Sequence, residues 1–386
     1  MNRRQIMLAG GAVALAGAGA AAWSVARMGS LEAYAEHMTV LRRPLAAEPA
    51  DRELIRYATL AANGHNTQPW RFAIGNGRMS IRPDPTRRTP VVDPDDHHLF
   101  ASIGCAAENL ALAASAQGRG GELRFDESSG EGFAEFWPGR ASDAPGDLIA
   151  AIPQRQSTRN EYDGRPVGAP DLAALEHAAR MAGVNLVLIS DPQALSRVRD
   201  LIVAGNTAQM TDPGFVRELK TWLRFSPRQA LEAGDGLFAA TTGNPVVPPW
   251  LGRSVFDLVF KTEAENEKYA RQMASSAGVA IFIAERDDPE HWVLAGRACQ
   301  RFALKATALG LRHAFINQPV EVAGLRPEVA SLAGLPGHRP DIVMRFGYGP
   351  ALPYSPRRPV EAVLDDPYGA GYAETLSTTS TANRSR

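Results

Sequence analysis

The chain has little of what would tie it to metals, disulfides or polyanions. Of 386 residues only Cys105 and Cys299 are cysteines. Neither belongs to a CxxC or Cys/His spacing and each sits inside an apolar helical pattern, which reads as two buried thiols and not a metal site or disulfide. Charge of one sign is not in excess either. The formal net charge is -1, and without the first 28 residues 38 basic side chains face 42 acidic ones, which excludes a whole-protein case for nucleic acid. At 45% apolar and 22% charged residues the composition is globular, and the length suits two ordinary domains or one large domain built by duplication. One long uncharged run is present. It covers residues 6–26, mostly Ala and Gly, directly behind Arg3 and Arg4, and reads as a targeting segment. If retained it could span a bilayer, at ~20 residues per crossing.

What the chain does have is a dense polar loop. Ala62-Asn63-Gly64-His65-Asn66-Thr67-Gln68-Pro69-Trp70 follows an apolar helical run at residues 54–61 and precedes Trp70-Arg71-Phe72-Ala73-Ile74, whose alternation reads as a strand. The amides of Asn63 and Asn66 can hydrogen-bond a planar heterocycle, and Gly64 lets backbone approach it. A helix cap at Asn63-Gly64 with Trp70 in the core accounts for the same letters. Asp93-Pro94-Asp95-Asp96 can cap a helix with apolar positions from 99 to 116. His97 and His98 there point about 100° apart, which predicts surface histidines of a first turn and no metal site. Arg155-Gln156-Ser157-Thr158-Arg159 sets two guanidinium groups about a hydroxyl, suited to phosphate oxygens or to a solvated basic turn.

The helix from residue 104 to 118 has an echo. At an offset of 192 it aligns with residues 296–310, identical at seven of fifteen positions, and after each copy comes a segment fit for a sheet, 122–125 and 313–316. The chain then divides into halves at 29–150 and 151–369, with a frayed tail at 370–386. Within the second half, 205–261 is broken by Gly and Pro and is predicted to be an irregular lid. Residues 278–284 are continuously apolar, as in a strand buried on both faces.

Asn66-x-Gln68-Pro69-Trp70-x-Phe72 resembles the P-S-x-x-N-x-Q-P-W-x-F signature of the FMN-dependent nitroreductase family, with Ala62-Asn63 in place of Pro-Ser. Arg155-x-Ser157-x-Arg159 resembles its R-x-S-x-[RK] phosphate motif, and Pro356-Arg357-Arg358-Pro359 its late basic pair. Ile316-Asn317-Gln318-Pro319 falls at the place of its Pro-x-Glu-Gly turn, where Pro319 removes a backbone donor. The resemblance implies an α+β fold, a mostly antiparallel sheet flanked by helices, here duplicated within one chain. It implies FMN held by Asn63, Gly64, Asn66, Arg155, Gln156, Ser157, Arg159, Asn317, Gln318, Arg357 and Arg358, with no catalytic side chain and no metal. Thr39, Leu41 and Arg43 stand where the second half has Arg155, Ser157 and Arg159, so one complete flavin site per chain is expected, and an oligomer is not required. The implied activity is hydride transfer at the flavin from NAD(P)H or another donor to nitroaromatics or quinones. The alternatives are a lid-closed FMN storage protein and a flavin-free protein that keeps only the fold. The amino terminus resembles a twin-arginine export signal, which implies the export machinery as a partner and a place in the periplasm or at the outer face of the inner membrane.

Overall fold

The structure, a computed structural model, describes residues 24–47, 49–75, 77–126, 133–138 and 146–365. The paired arginines and nearly all of the uncharged run, Ala144-Pro145 and the 370–386 tail lie outside the described residues.

After helices α1 (Leu31–Leu41) and α2 (Asp51–Thr59), the first half builds a sheet from β1 (Trp70–Gly75), β2 (Arg78–Pro83), β3 (Gly121–Asp126) and β4 (Phe133–Pro138), in the order β1-β2-β4-β3. Every pair is antiparallel. The period-two pattern does what it predicts: Trp70 and Phe72 are fully buried while Arg71 faces outward to Asp365 at 2.7 Å. Between β2 and β3 runs α3 (His97–Ser115).

The second half opens with α4 (Gly146–Ala151) and α5 (Ala169–Ala179) and repeats the plan with β5 (Val184–Ile189), β8 (Gly278–Ala284), β9 (Arg312–Phe315) and β10 (Ile342–Gly347). The order is β5-β8-β10-β9, again antiparallel throughout, with α11 (Pro289–Ala308) between β8 and β9. All seven residues of β8 are buried. Its continuous apolar run is explained by cover on both faces, from Phe302 of α11 on one side and Val198 and Ile202 of α6 (Pro192–Thr211) on the other.

One connection breaks the parallel between the halves. β1 and β2 join through a two-residue turn with Gly75 opposite Arg78. β5 and β8 are instead separated by α6, α7 (Pro213–Thr221), α8 (Pro227–Ala233), α9 (Pro249–Val259), α10 (Thr262–Ala274) and a two-rung parallel ladder of β6 (Leu223–Arg224) and β7 (Leu237–Phe238). The 205–261 stretch is therefore largely helical, not irregular. Pro213, Pro227 and Pro249 each sit in a first helical turn, two of them behind capping side chains, Asp212 and Ser226. The letters that read as breaks are punctuation of short helices.

At the middle, α3 crosses α11. A Cβ on Gly104 would overlap the Val293 carbonyl oxygen, and one on Gly296 would overlap that of Ala101, so both glycines are required by backbone contact. Glu108 meets Arg301 at 2.8 Å and Gln300 meets Asn109 at 2.7 Å. In each case the second contact is the first shifted by 192 residues with the roles exchanged, as at a two-fold interface. The chain closes with α12 (Gln318–Glu321), α13 (Arg326–Leu332) and α14 (Val360–Val363).

Candidate functional site

Where α3, α6, α9, α10 and α12 converge on the 63–65 segment lies a cavity of about 550 Å³, within the ~300–1,000 Å³ typical of small-molecule sites. Phe215, Leu219, Phe225, Phe256 and Phe260 of the inserted segment cover it with apolar surface. Its polar wall comes from Asn63, Gly64, His65, His98, Arg159, Gln209, Asn317, Gln318 and Glu321.

The 63–68 loop is held under strain. His65, Asn66 and Gln68 have φ of 46°, 54° and 53°, left-handed conformations costing ~1 kcal/mol or more each without glycine. Side-chain amides offset this cost. Asn63 Oδ1 accepts from the Gln68 N–H at 2.9 Å, and Asn66 Nδ2 donates to the Gly236 and Pro356 carbonyls at 3.0 and 3.1 Å. Gln68 donates to Gly234 O at 2.8 Å and accepts from the Arg358 N–H at 2.8 Å. Asn66 is thus saturated by protein groups and off the cavity wall. Asn63 and Gly64 are on it.

The arginines divide in the same way. Arg159 is on the wall, and its guanidinium has no hydrogen-bond or ion-pair partner among the described residues. Arg155 and Arg357 lie behind, turned to the carboxyl end of α2. Arg155 donates to Leu60 O at 3.0 Å, and Arg357 to Thr59 O at 2.6 Å and Ala61 O at 3.1 Å, where the helix dipole favours cations. Arg42 joins them, donating to the Pro153 and Arg155 carbonyls. All three are buried, and no carboxylate pairs with any of them among the described residues. Burial first, and then mutual repulsion, lowers Arg42 to about 9 and Arg357 well below its ordinary value. Burial brings Arg155 down to about 10.

Arg155 Nε and Nη1 have no acceptor, and neither ring nitrogen of the fully buried His313 has a partner. These buried spare polar atoms, with no carboxylate counter-charge among the described residues, suit an anion such as a phosphate. Ser157 adjoins His313 through a backbone bridge, while Gln156 is occupied by the Leu352 N–H at 2.9 Å. Arg358 is engaged by Ala362 O at 2.6 Å and by Asp84. Of the eleven residues implied by the motifs, Asn63, Gly64, Arg159, Asn317 and Gln318 reach the cavity; Asn66, Arg155, Gln156, Ser157, Arg357 and Arg358 do not line it.

Sequence reasoning missed Arg42, His65, His98, Glu321 and His313. Arg42 carried a signal, since it adjoins the Arg43 set against Arg159, but Arg43 is exposed and paired with Glu53 at 2.6 Å. The surface reading of His97 and His98 is corrected. His97 is buried against Asp341 at 2.7 Å, and His98 lies on the cavity wall with Nε2 3.1 Å from the Asp341 carbonyl. The loop before β10 covers the first turn of α3, a long-range contact that local spacing does not encode. Asp93, His97 and His98 bring ligand atoms close together. The Asp93 oxygens are taken by the His98 and Leu99 N–H groups and His97 by Asp341.

Residues 152–348 match the family model described as Nitroreductase family. A Mycobacterium tuberculosis H37Rv protein named as an NAD(P)H nitroreductase is 28% identical over 329 residues, 82% of this chain and 91% of that one; its counterpart in strain CDC 1551 gives the same figures. Among solved structures, the FMN-dependent nitroreductase NfnB from Mycobacterium smegmatis in complex with NADPH is 17% identical, with 60% of this chain and 96% of that one covered at a TM-score of 0.36. A nitroreductase with bound FMN from Bacteroides fragilis is 17% identical, covering 53% and 88% at 0.34.

Proposed function

The chain belongs to the nitroreductase family, and from that premise we propose that it is an FMN-dependent oxidoreductase taking hydride from NAD(P)H or a similar donor and passing it to quinones or nitroaromatics. The observation that carries this reading is the juxtaposition of a ligand-sized cavity, the unpaired Arg159 on its wall, and the buried Arg155 and His313 with unpaired donors. These residues fit the group. Arg155, His313 and Ser157 would receive the phosphate in the field of Arg42 and Arg357, and Arg159, Asn63, Gly64, Asn317 and Gln318 would hold the ring system. Bound FMN supplies reversible acceptance of a hydride. The protein's own part is to orient the ring through loops locked by the Asn66 and Gln68 amides, and to exclude water with the phenylalanine cover.

The reciprocal contacts of α3 and α11 and the shared strand order support duplication, hence one flavin per chain without a partner subunit. The second reading, FMN sequestration, is favoured by one observation: the apolar cover belongs to an insertion where the first half has a two-residue turn. The paired arginines before residues 6–26 support export by the twin-arginine route to the periplasm or the outer face of the inner membrane. Anaerobic mixing of the flavin-loaded protein with NADPH tests the main reading. Rapid bleaching of the visible flavin band followed by reoxidation on adding a quinone is expected. A flavin that stays oxidised would leave sequestration. Arg159→Ala should weaken flavin retention about 10–100-fold, as for loss of one charge-assisted contact, measured by release of FMN on dilution.

A further inference from the structure

Among the polar side chains of the cavity wall with no part in holding a flavin in the reading above, three lie together: His98 of α3, Gln209 of α6 and Glu321 at the end of α12. Gln209 Nε2 donates to Glu321 Oε2 at 2.6 Å, and His98 Nδ1 lies 3.7 Å from Glu321 Oε1. The partner of the other His98 nitrogen fixes the tautomer. Nε2 is 3.1 Å from the Asp341 backbone carbonyl, which can only accept, so the ring proton resides on Nε2 and Nδ1 turns a lone pair toward Glu321. One carboxyl oxygen therefore receives an N–H and the other faces an acceptor, the environment of a carboxylic acid that carries a proton on Oε1.

Electrostatics agree. Burial raises the Glu321 carboxyl above its usual range, against opposing effects of His98 and Gln209. Burial likewise keeps His98 below its ordinary value and so neutral. The charged and titratable groups facing Glu321 are His98 and Asp93 from the α3 side, Arg326 from α13 and Tyr269 from α10. Arg326 is directed to the Val320 carbonyl at 2.7 Å.

We propose that Glu321 is the proton donor to the acceptor reduced in this cavity, with Gln209 and His98 as positioning residues that keep its acid form aimed inward. The proposal rests on the oxidoreductase reading. A quinone that receives a hydride, originating from a reduced nicotinamide, gains two electrons and one proton, and its second oxygen is left anionic. The Glu321 O–H bond breaks, the proton passes to that oxygen to complete the hydroquinone, and the carboxylate recovers a proton from water once the product leaves. The apolar, phenylalanine-rich cover over the cavity favours a local donor over bulk water.

Two measurements on Glu321→Gln and the wild-type protein test it. The first is independent of flavin and of turnover. In protein labelled with carboxyl-¹³C glutamate, the resonance absent from Glu321→Gln should titrate above the ~4.3 of an ordinary glutamate; titration in the ordinary range overturns the proposal. The second compares acceptors at equal flavin content. Quinone turnover should fall about 10²–10⁴-fold in Glu321→Gln, while reduction of ferricyanide, which takes electrons without a proton, stays unchanged. Unchanged quinone turnover, or an equal loss on both acceptors, overturns it. Absence of flavin reduction in the wild type would instead defeat the oxidoreductase reading, and the ¹³C titration would still decide the state of Glu321.

Discussion

Asp341 places a carboxyl between the His97 ring and the Ala284 N–H, at 2.7 and 2.5 Å, with almost no solvent. Burial raises it to about 7, and burial also depresses His97 to about 3, so in mildly acid solution both groups are neutral where an exposed aspartate and histidine would both be charged. Because the folded value lies above that of an unfolded aspartate, ~3.9, the contribution to stability is full below pH ~3.9 and is lost as pH rises to about 7. His97 runs the opposite way, its contribution lost as pH falls from ~6.5 toward about 3, so the two offset each other between pH ~4 and ~6.5. Asp341→Asn, which keeps a donor for His97 and an acceptor for Ala284, should remove that offset and make the urea midpoint fall as pH is lowered from about 6.5 to about 4, where the wild type stays level. A mutant curve parallel to the wild type would refute this origin. Asp341 also shows where reading residues from sequence stops. Trp70, Phe72 and Arg159 were legible because alternation and a compact motif place them. Asn66 and Gln68 were legible as important but not in role: their amides are consumed by Gly234, Gly236, Pro356 and the 357–358 segment, partners 166 to 291 residues distant in the chain.

At the level of elements, the α3–α11 crossing is the most constrained contact. Gly104→Ala should cost about 3 kcal/mol or prevent folding, because two helix backbones would have to separate. Gly324→Ala, where an added Cβ meets nothing within 4 Å, should be nearly neutral. Thermal or urea unfolding of both decides it, and equal tolerance would mean that the crossing relaxes easily. Strand order was hidden in the sequence even though the strands themselves were visible at 70–74, 278–284 and 313–316. Pairing of β10 with both β8 and β9 is settled by packing on α11 and not by local pattern. The cover is the element to test for access. The segment 234–236 cannot be removed, since Asn66 and Gln68 hydrogen-bond to it and Arg87 pairs with Asp235. Helix α9 can be excised by joining Val247 to Thr262 with a short Gly/Ser linker. If α9 gates the cavity, flavin reduction by NADPH should speed up roughly tenfold, equivalent to ~1.4 kcal/mol of barrier. Stopped-flow rates that do not change would assign the gate elsewhere.

For the whole molecule, the proposed phosphate site at Arg155 and His313 predicts one FMN per chain. Acid release of the flavin with light-scattering mass gives the ratio, and two flavins per chain would show a second competent site in the first half. The two halves share a strand order but not a connection, and this difference governs how the chain acquires its structure in time. β1 and β2 can close as a hairpin while still near one another, within microseconds for an isolated ribbon. β5 must wait for β8 until α6 to α10 have been made and set aside, so the second sheet depends on non-local contacts that slow folding. During that wait β8, apolar on both faces, is an unpaired ribbon open to other chains. Aggregation during refolding should therefore originate in the second sheet, before α11, which covers β8 on one face and docks on α3 through Gly296, has closed over it.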